Sequence, residues 1–292
     1  MKPSVATACM LVVSTFSATV LQAANILLVP MNCNSHIMFF TRLGTDLAKL
    51  GHVTTLLAPS NARVPDCVVG NAGGNFSYVK YPVDEEVPFL NSPDMSEQLF
   101  ASAMSKTRLQ YLLRFRTLQL NVRRHVEQDC TQLLDNVELM RHVKEKGFDF
   151  AIMDPTYAVA CYYTIPLSLG IPYASLSIAF FSGVLFRVAR LASFPNFITS
   201  YDPPTFRERL EIFLIERMDP ALSSDATYFI EKYLPNHPHI GTIEILQRQS
   251  LWFFLEDLSI NYPLPQMPNT VAVGDIMAVS YTHLTLPTIY SV

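Results

Sequence analysis

The residues of this sequence with the clearest chemical potential are one histidine, His36, and one aspartate, Asp154. Each follows a short apolar segment, residues 26–29 in the first case and residues 148–153 in the second. A carboxylate that binds one ring nitrogen of a histidine fixes its tautomer and stabilises the charge that appears when the other nitrogen takes a proton. This pair of residue types therefore predicts a general base able to deprotonate a hydroxyl group.

A strand–helix–strand pattern would position the histidine. Residues 26–29 and 53–58 have the continuous apolar character of buried parallel strands, and a helix that starts near Ile37 separates them. Gly51 stands where a left-handed C-terminal cap of this helix is needed. The predicted buried stripe of the helix consists of Phe40, Leu43, Leu47 and Leu50.

A second unit of the same kind would position the aspartate. Residues 148–153, 157–169 and 171–176 are predicted to form a strand, a helix and a strand. The fold class is therefore α/β, with a Rossmann-like parallel sheet that carries helices on both faces. His36 and Asp154 then follow the carboxyl ends of two strands, where sheets of this kind bind their ligands.

The position of His36 also has a simpler interpretation. At the start of a helix the positive end of the dipole disfavours the imidazolium form, so the ring would stay a neutral base. A single histidine near a helix start, however, is often only a cap or a hydrogen-bonded surface residue. The spacing by itself leaves the catalytic pair and the structural cap as alternatives.

Composition and missing motifs exclude several classes of function. The 292 residues are 50% hydrophobic and 16% charged, so the chain can fill a sizeable core and is not disordered. A net charge of -4 without a dense basic block argues against nucleic acid as a partner. The sequence contains no G-x-S-x-G, P-loop or G-x-G-x-x-G motif. Cys33, His36 and His52 do not match a zinc spacing, so no metal or cofactor site is predicted.

The N-terminal part predicts entry into the secretory pathway. Residues 1–23 have the layout of a signal peptide, and a transmembrane helix is the alternative. The sequon Asn75-Phe76-Ser77 follows a glycine-rich segment and is predicted to lie in an exposed loop. In an oxidising lumen the remaining cysteines could pair in more than one way, or stay as buried thiols. These cysteines are Cys33, Cys67, Cys130 and Cys161.

Other segments predict further elements. Residues 96–146 have the pattern of two or three amphipathic helices. Residues 180–197 suit a helix that lies on a membrane or roofs an apolar pocket, and a core helix is the alternative. Residues 206–217 are predicted to be helical, His237-Pro238-His239 to be a loop, and residues 271–273 to be the last strand.

Three separated segments carry a family resemblance. SHIMFFTRLGTDLAKLGHVTTLL (residues 35–57), FDFAIMDPTYAVACYYTIPLSLGIPYASLS (residues 148–177) and LWFFLEDLSINYPLPQMPNTVAVGDI (residues 251–276) resemble the UDP-glucuronosyltransferases and their animal UDP-glycosyltransferase relatives. The resemblance runs in the same order from about residue 24 to residue 278.

The resemblance implies the N-terminal, acceptor-binding domain of a two-domain glycosyltransferase of the GT-B type, over residues 24–278. It implies that His36 and Asp154 are the catalytic residues. The implied reaction is an inverting transfer of a hexosyl or glucuronosyl group from a UDP-sugar co-substrate to a small lipophilic acceptor, without a metal. The implied location is the lumen of the endoplasmic reticulum, with membrane association of the full-length form; homo- and hetero-oligomers both stay open.

The chain also departs from the family. No segment of the given sequence resembles the family's UDP-sugar-binding domain or its C-terminal membrane span, so we expect this chain to be inactive alone. Residues 279–292 carry no charge and are interpreted as a non-native tail, an authentic short isoform being the alternative. Glu256-Asp257 stands where the family more often has an arginine. The alternatives for function are a secreted module that binds a lipophile or a partner, and a glycosyltransferase that uses another nucleotide sugar.

Overall fold

The computed structural model describes residues 23–62, 74–84, 89–155, 160–178, 205–207, 210, 226–255, 267–274 and 276. Its centre is a sheet of seven parallel strands in the order β3-β2-β1-β4-β5-β6-β7. The strands are β1 (Asn25–Val29), β2 (Val53–Pro59), β3 (Phe76–Tyr81), β4 (Phe150–Met153), β5 (Tyr173–Ser177), β6 (Trp252–Phe254) and β7 (Thr270–Ala272). The predicted α/β, Rossmann-like parallel sheet is confirmed.

Helices connect and cover the strands. Those in the described ranges are α1 (Asn34–Lys49), α2 (Pro93–Ala103), α3 (Arg108–Asp135), α4 (Val137–Glu145), α5 (Ala160–Leu169), α6 (Ala226–Tyr233) and α7 (Thr242–Gln247). A 3₁₀ turn, Phe89–Asn91, precedes α2. Both predicted strand–helix–strand units are present, as β1-α1-β2 and β4-α5-β5.

The two faces of β1 belong to two separate apolar cores. Ile26 and Leu28 pack with α1, whereas Leu27 and Val29 pack with the cluster that contains α3 and α5. This alternation follows from the two-residue period of a strand. It explains why β1 is apolar from Ile26 to Val29, because helices cover both faces of the sheet as the sequence predicts.

The predicted buried stripe of α1 is partly wrong. Phe40 is fully buried, but Leu50 is 77% exposed and lies beyond the end of the helix. The buried line instead passes through Gly44 and Ala48. A Cβ atom at Gly44 would lie 2.6 Å from Leu28 Cδ1, so glycine lets the helix approach the sheet closely. Gly51 adopts a φ of 95° after the helix, which confirms the predicted left-handed cap.

The predicted amphipathic region after residue 96 forms three helices. Each begins at a side chain that accepts a hydrogen bond from a backbone N–H of the first turn: Ser92 before α2, Thr107 before α3 and Asn136 before α4. Such caps satisfy donors that the helix itself cannot pair. These cap positions explain why the region breaks into separate helices.

The sequon is the second feature where the structure corrects the prediction. Asn75 is exposed, but Phe76 and Ser77 belong to β3 and not to a loop. Phe76 is buried and pairs with Thr54 of β2, and the Ser77 hydroxyl lies 3.1 Å from that of Thr55. Burial of the aromatic ring therefore extends the edge of the sheet into the predicted loop.

Other predictions have mixed outcomes. The loop at His237-Pro238-His239 and the last strand near residue 271 are confirmed. Residues 1–22, 180–197, Glu256-Asp257, Cys67 and 279–292 lie outside the described residues, as does most of the helix predicted over residues 206–217. Within the described ranges, no helix combines the length and the apolar character that a membrane crossing requires.

Among the cysteines, Cys130 of α3 is joined to Cys161 of α5 by a disulfide, and Cys33 is a buried thiol. Both bonded residues are fully buried in the core on that face of the sheet. The bond ties two helices that lie far apart along the chain. It selects one of the pairings that the sequence left open.

We expect the loss of this disulfide to lower the free energy of unfolding by about 2–4 kcal/mol, because its closed loop constrains the unfolded chain over a separation of 31 residues. Guanidinium unfolding of the wild type and of a Cys130→Ala, Cys161→Ala double variant measures the difference. Added reductant should destabilise the wild type and leave the double variant unchanged. Equal stability of the oxidised wild type and the double variant would contradict this expectation.

Candidate active site

His36 lies in the first turn of α1, directly after the loop that leaves β1. Cys33 has extended backbone angles (φ -147°, ψ 131°), and its carbonyl accepts the N–H of Ile37 at 2.9 Å to begin the helix. This geometry makes His36 the third residue of α1. Its ring is therefore held at the carboxyl edge of the sheet, on a rigid helix.

Asp154 lies one residue beyond the end of β4, the strand that pairs with β1. Its backbone N–H donates to the carbonyl of Val29 at 3.0 Å, which continues the β1–β4 ladder by one bond. From β1 the chain continues to β2 and β3, toward one end of the strand order. From β4 it continues to β5, β6 and β7, toward the other end. Both predicted site residues thus lie at the switch point of the sheet, the usual ligand position in doubly wound folds.

The two side chains are in direct contact. His36 Nδ1 lies 2.5 Å from Asp154 Oδ2, and the backbone N–H of Met31 donates to the same oxygen at 3.2 Å. The side chain of Asp154 is 1% exposed and that of His36 is 10% exposed. A buried carboxylate in such a position needs hydrogen-bond donors, and the imidazole and Met31 supply them.

The contact determines what the imidazole can do. Because an ionised carboxylate only accepts hydrogen bonds, Nδ1 is the nitrogen that donates to Asp154, and in the neutral imidazole Nε2 then presents its lone pair. Among the described residues the His36 ring has no other hydrogen-bond partner, and none therefore occupies Nε2. This nitrogen is therefore available to accept a proton from a bound molecule.

The described residues contain no group of three or more His, Cys, Asp and Glu side chains that could hold a metal ion. His52 precedes β2, at the amino edge of the sheet, and its Nδ1 accepts the N–H of Ala24 at 3.2 Å. Cys33 and His36 lie at the opposite edge, so the three residues considered as a zinc site are not together.

A second buried polar cluster lies beside the pair, and sequence reasoning missed it. Asn32 Nδ2 donates to Asp129 Oδ2 at 2.6 Å, and the hydroxyls of Tyr81 and Tyr162 lie 3.3 Å apart. Burial raises the pKa of both phenols, and the Asp129 carboxylate contributes in the same direction. Both tyrosines therefore stay protonated and can donate hydrogen bonds.

The sequence contained one signal of this cluster. Asn32 follows β1 almost directly, at the edge where His36 was predicted to act. Asp129 lies within α3 among polar residues of similar type, and only its neighbour Cys130 distinguishes it. Its partner Asn32 is 97 residues away in the chain, so no local pattern connects the two.

Comparison with known proteins identifies a matching family model and several relatives of this chain. A family model described as "UDP-glucoronosyl and UDP-glucosyl transferase" matches residues 24–286. The 2-hydroxyacylsphingosine 1-beta-galactosyltransferase of Rattus norvegicus is 26% identical over 266 residues, which are 88% of this chain and 46% of that protein. UDP-glucuronosyltransferase 3A2 of Mus musculus is 25% identical over 269 residues, which are 88% of this chain and 48% of that protein.

The chain thus spans about half the length of the curated relatives that it matches. Among solved structures, apo UGT2 of Phytolacca americana is 14% identical, with a TM-score of 0.46, and the match covers 88% of this chain and 53% of that one. The spinosyn forosaminyltransferase SpnP matches with a TM-score of 0.45 at 15% identity, over 87% of this chain and 51% of that one. On the extent of the family match, this chain belongs to the UDP-glucuronosyl and UDP-glucosyl transferase family.

Proposed function

We propose that the chain is the acceptor-binding half of a UDP-glycosyltransferase of the two-domain GT-B type. The proposed reaction transfers a hexosyl or glucuronosyl group from a UDP-sugar to a small lipophilic acceptor, with inversion at the anomeric carbon. His36 is the general base and Asp154 its orienting partner. The observation that carries this proposal is the 2.5 Å contact between His36 Nδ1 and Asp154 Oδ2 at the switch point of a parallel sheet.

The proton transfer follows from the arrangement of the two side chains. The acceptor hydroxyl gives its proton to His36 Nε2 while its oxygen forms a bond to the anomeric carbon. The bond between that carbon and the UDP oxygen breaks, and UDP leaves with the electron pair. The imidazolium that forms is stabilised by the Asp154 carboxylate, which already holds Nδ1–H. No metal has a part in these steps.

The substrates are proposed from the names of the relatives and from the family resemblance. The relatives are named as a galactosyltransferase and a glucuronosyltransferase, which supports a UDP-hexose or UDP-glucuronic acid as donor. The first of them acts on 2-hydroxyacylsphingosine, a lipid, which supports a lipophilic acceptor. In the proposed architecture the UDP-sugar is held mainly by a second Rossmann domain, of the kind that the family resemblance implies.

A fusion of this chain to the donor-binding half of an animal relative tests the proposal. The fusion is incubated with several UDP-sugars and a panel of phenols and lipid alcohols, and UDP release and glycoside formation are measured together. We expect a glycoside of inverted configuration, seen by NMR of the product, and no product from the unfused chain. A folded fusion that binds both UDP and a lipophile but forms no glycoside would refute the proposal and favour a binding module.

We propose the lumen of the endoplasmic reticulum as the location of the protein. The Cys130–Cys161 disulfide supports this location, because such bonds persist in oxidising compartments. The layout of residues 1–23 supports it independently, since it is typical of a signal peptide.

Glycosylation of Asn75 is the result expected from that location. Asn75 is exposed at the amino end of the edge strand β3, away from the edge that carries His36. Expressed in animal cells, the wild type should migrate faster on a gel after treatment with an N-glycosidase. Asn75→Gln should remove this shift, and Asn71→Gln, outside any sequon, should retain it. A wild type without any shift would speak against lumenal exposure of Asn75.

A further inference from the structure

The loop between β1 and α1 is held from two sides by buried carboxylates. On one side the Met31 N–H donates to Asp154 Oδ2 at 3.2 Å. On the other side Asn32 Nδ2 donates to Asp129 Oδ2 at 2.6 Å. Met31 is 3% exposed and Asn32 is 2% exposed, so solvent does not compete for either bond. Two consecutive residues of this loop thus connect Asp154 with Asp129.

Asp129 is itself anchored to the helix that follows Asp154. The next residue, Cys130, forms the disulfide with Cys161 near the start of α5, and α5 is the helix reached directly from β4. The contacts therefore form a closed ring that runs from Asp154 through the loop to Asp129 of α3, and through the disulfide to α5, the helix that follows Asp154. Within this ring the disulfide fixes α3 relative to α5. Asp129 therefore presents its carboxylate to the loop from a fixed position.

If stability were the only function of Asp129, a buried carboxylate would be an unfavourable choice at this position. Asp129 is 7% exposed, and an apolar side chain would avoid the desolvation of a carboxylate at this position. Because the carboxylate can only accept, the NH₂ group of Asn32 faces Asp129 and its Oδ1 points elsewhere. Oδ1 is buried and has no hydrogen-bond partner among the described residues. The fold thus leaves one polar atom unpaired while it keeps the bond between Asn32 and Asp129.

We propose that Asp129 is a positioning residue of the His36–Asp154 pair. By holding Asn32 it keeps the Met31 N–H directed at Asp154 Oδ2, and this donor keeps the carboxylate oriented toward His36 Nδ1. The catalytic meaning of this role rests on the proposed function, whereas the geometry does not depend on it. The competing interpretation is that Asp129 only stabilises the tyrosine cluster of Tyr81 and Tyr162.

The tautomer of His36 distinguishes the two interpretations, because a purely structural role of Asp129 would not change it. The ring nitrogens of the ¹⁵N-histidine-labelled chain report by NMR which nitrogen carries the proton, and His36→Gln assigns the signals. In the wild type we expect a proton on Nδ1 and none on Nε2. In Asp129→Leu the ratio of the two tautomers should fall at least about tenfold, the effect of losing a hydrogen bond to a charged group.

Two matched variants control for stability. Asp129→Asn keeps an acceptor for Asn32 and should retain the wild-type tautomer. Val126→Ala truncates a buried side chain on the same helix but keeps both partners of the Asn32–Asp129 hydrogen bond, and it should retain the tautomer although it destabilises the fold. An unchanged tautomer in a folded Asp129→Leu protein would overturn the proposal. If Asp129→Leu does not fold, Asn32→Ala, which removes the same bond from the other side, decides in the same way.

The active fusion separates this proposal from the proposed function. There Asp129→Leu should lower kcat and leave KM for the acceptor nearly unchanged, and Asp129→Asn should restore most of kcat. A fusion that is inactive although the NMR result is as expected refutes the glycosyltransferase proposal and not the positioning role. A change in KM alone would assign Asp129 to acceptor binding and overturn the positioning role.

Discussion

Replacement of His36 by alanine is expected to lower turnover by about 100- to 10,000-fold in a fusion that carries a donor domain, because this is the usual contribution of a general base. Asp154→Ala should give a loss in the same range. Without the carboxylate, neither the Nδ1–H tautomer nor the developing imidazolium is stabilised. Turnover is measured as UDP release at saturating donor and acceptor.

The double variant gives a sharper test than either single one. The two residues act as one unit through a single 2.5 Å contact, so removal of the second should cost little once the first is gone. We therefore expect turnover of His36→Ala, Asp154→Ala to be close to that of either single variant. Losses that multiply would mean that the two side chains act independently.

His52→Ala provides a matched control within the same strand–helix–strand unit. His52 accepts a hydrogen bond from Ala24 at the amino edge of the sheet, so its loss should leave turnover unchanged. If His36→Ala leaves turnover intact while Asp154→Ala abolishes it, the assignment of the base is wrong and Asp154 acts by another route. If His36→Ala instead unfolds the protein, the interpretation of His36 as a structural cap is right.

The positions of His36 and Asp154 could be predicted because strand ends are local features of a sequence. β1 and β4 are short, apolar at nearly every position and closely followed by Pro30 and Pro155, so their carboxyl ends could be recognised. Parallel strands place these ends at one edge of the sheet. Sequence could therefore predict that the two residues share an edge, and the structure adds that their side chains touch.

The remainder of the site depends on packing between distant segments. The bond between Asn32 and Asp129 requires α3 to cross the face of the sheet beside β1, and the pattern of α3 alone does not determine where it crosses. The choice of Cys130 and Cys161 among the cysteines depends on the same crossing. β3 was missed because the glycine-rich segment before it resembles a loop, and only its pairing with β2 extends the sheet.

The stripe of α1 shows how a correct period can predict only part of the buried face of a helix. Spacings of three and four connect Phe40, Leu43, Leu47 and Leu50, and leucines outweigh glycine and alanine in any apolar pattern. The structure buries Gly44 and Ala48 instead, because small residues allow the helix to approach Leu28. Leu43 and Leu47 are left only partly buried at the margin of the core.

The burial of Phe40 and the exposure of Leu50 predict very different effects of the two side chains on the free energy of unfolding. Phe40→Ala should lower the free energy of unfolding by about 3–5 kcal/mol, because it leaves a cavity between α1 and the sheet where the ring is fully buried. Leu50→Ala is the matched control: the sequence placed it on the same stripe, but its side chain is 77% exposed. It should change the stability by less than about 0.5 kcal/mol. Urea unfolding of both variants measures the two values, and similar losses would mean that α1 packs on the face that the leucines define.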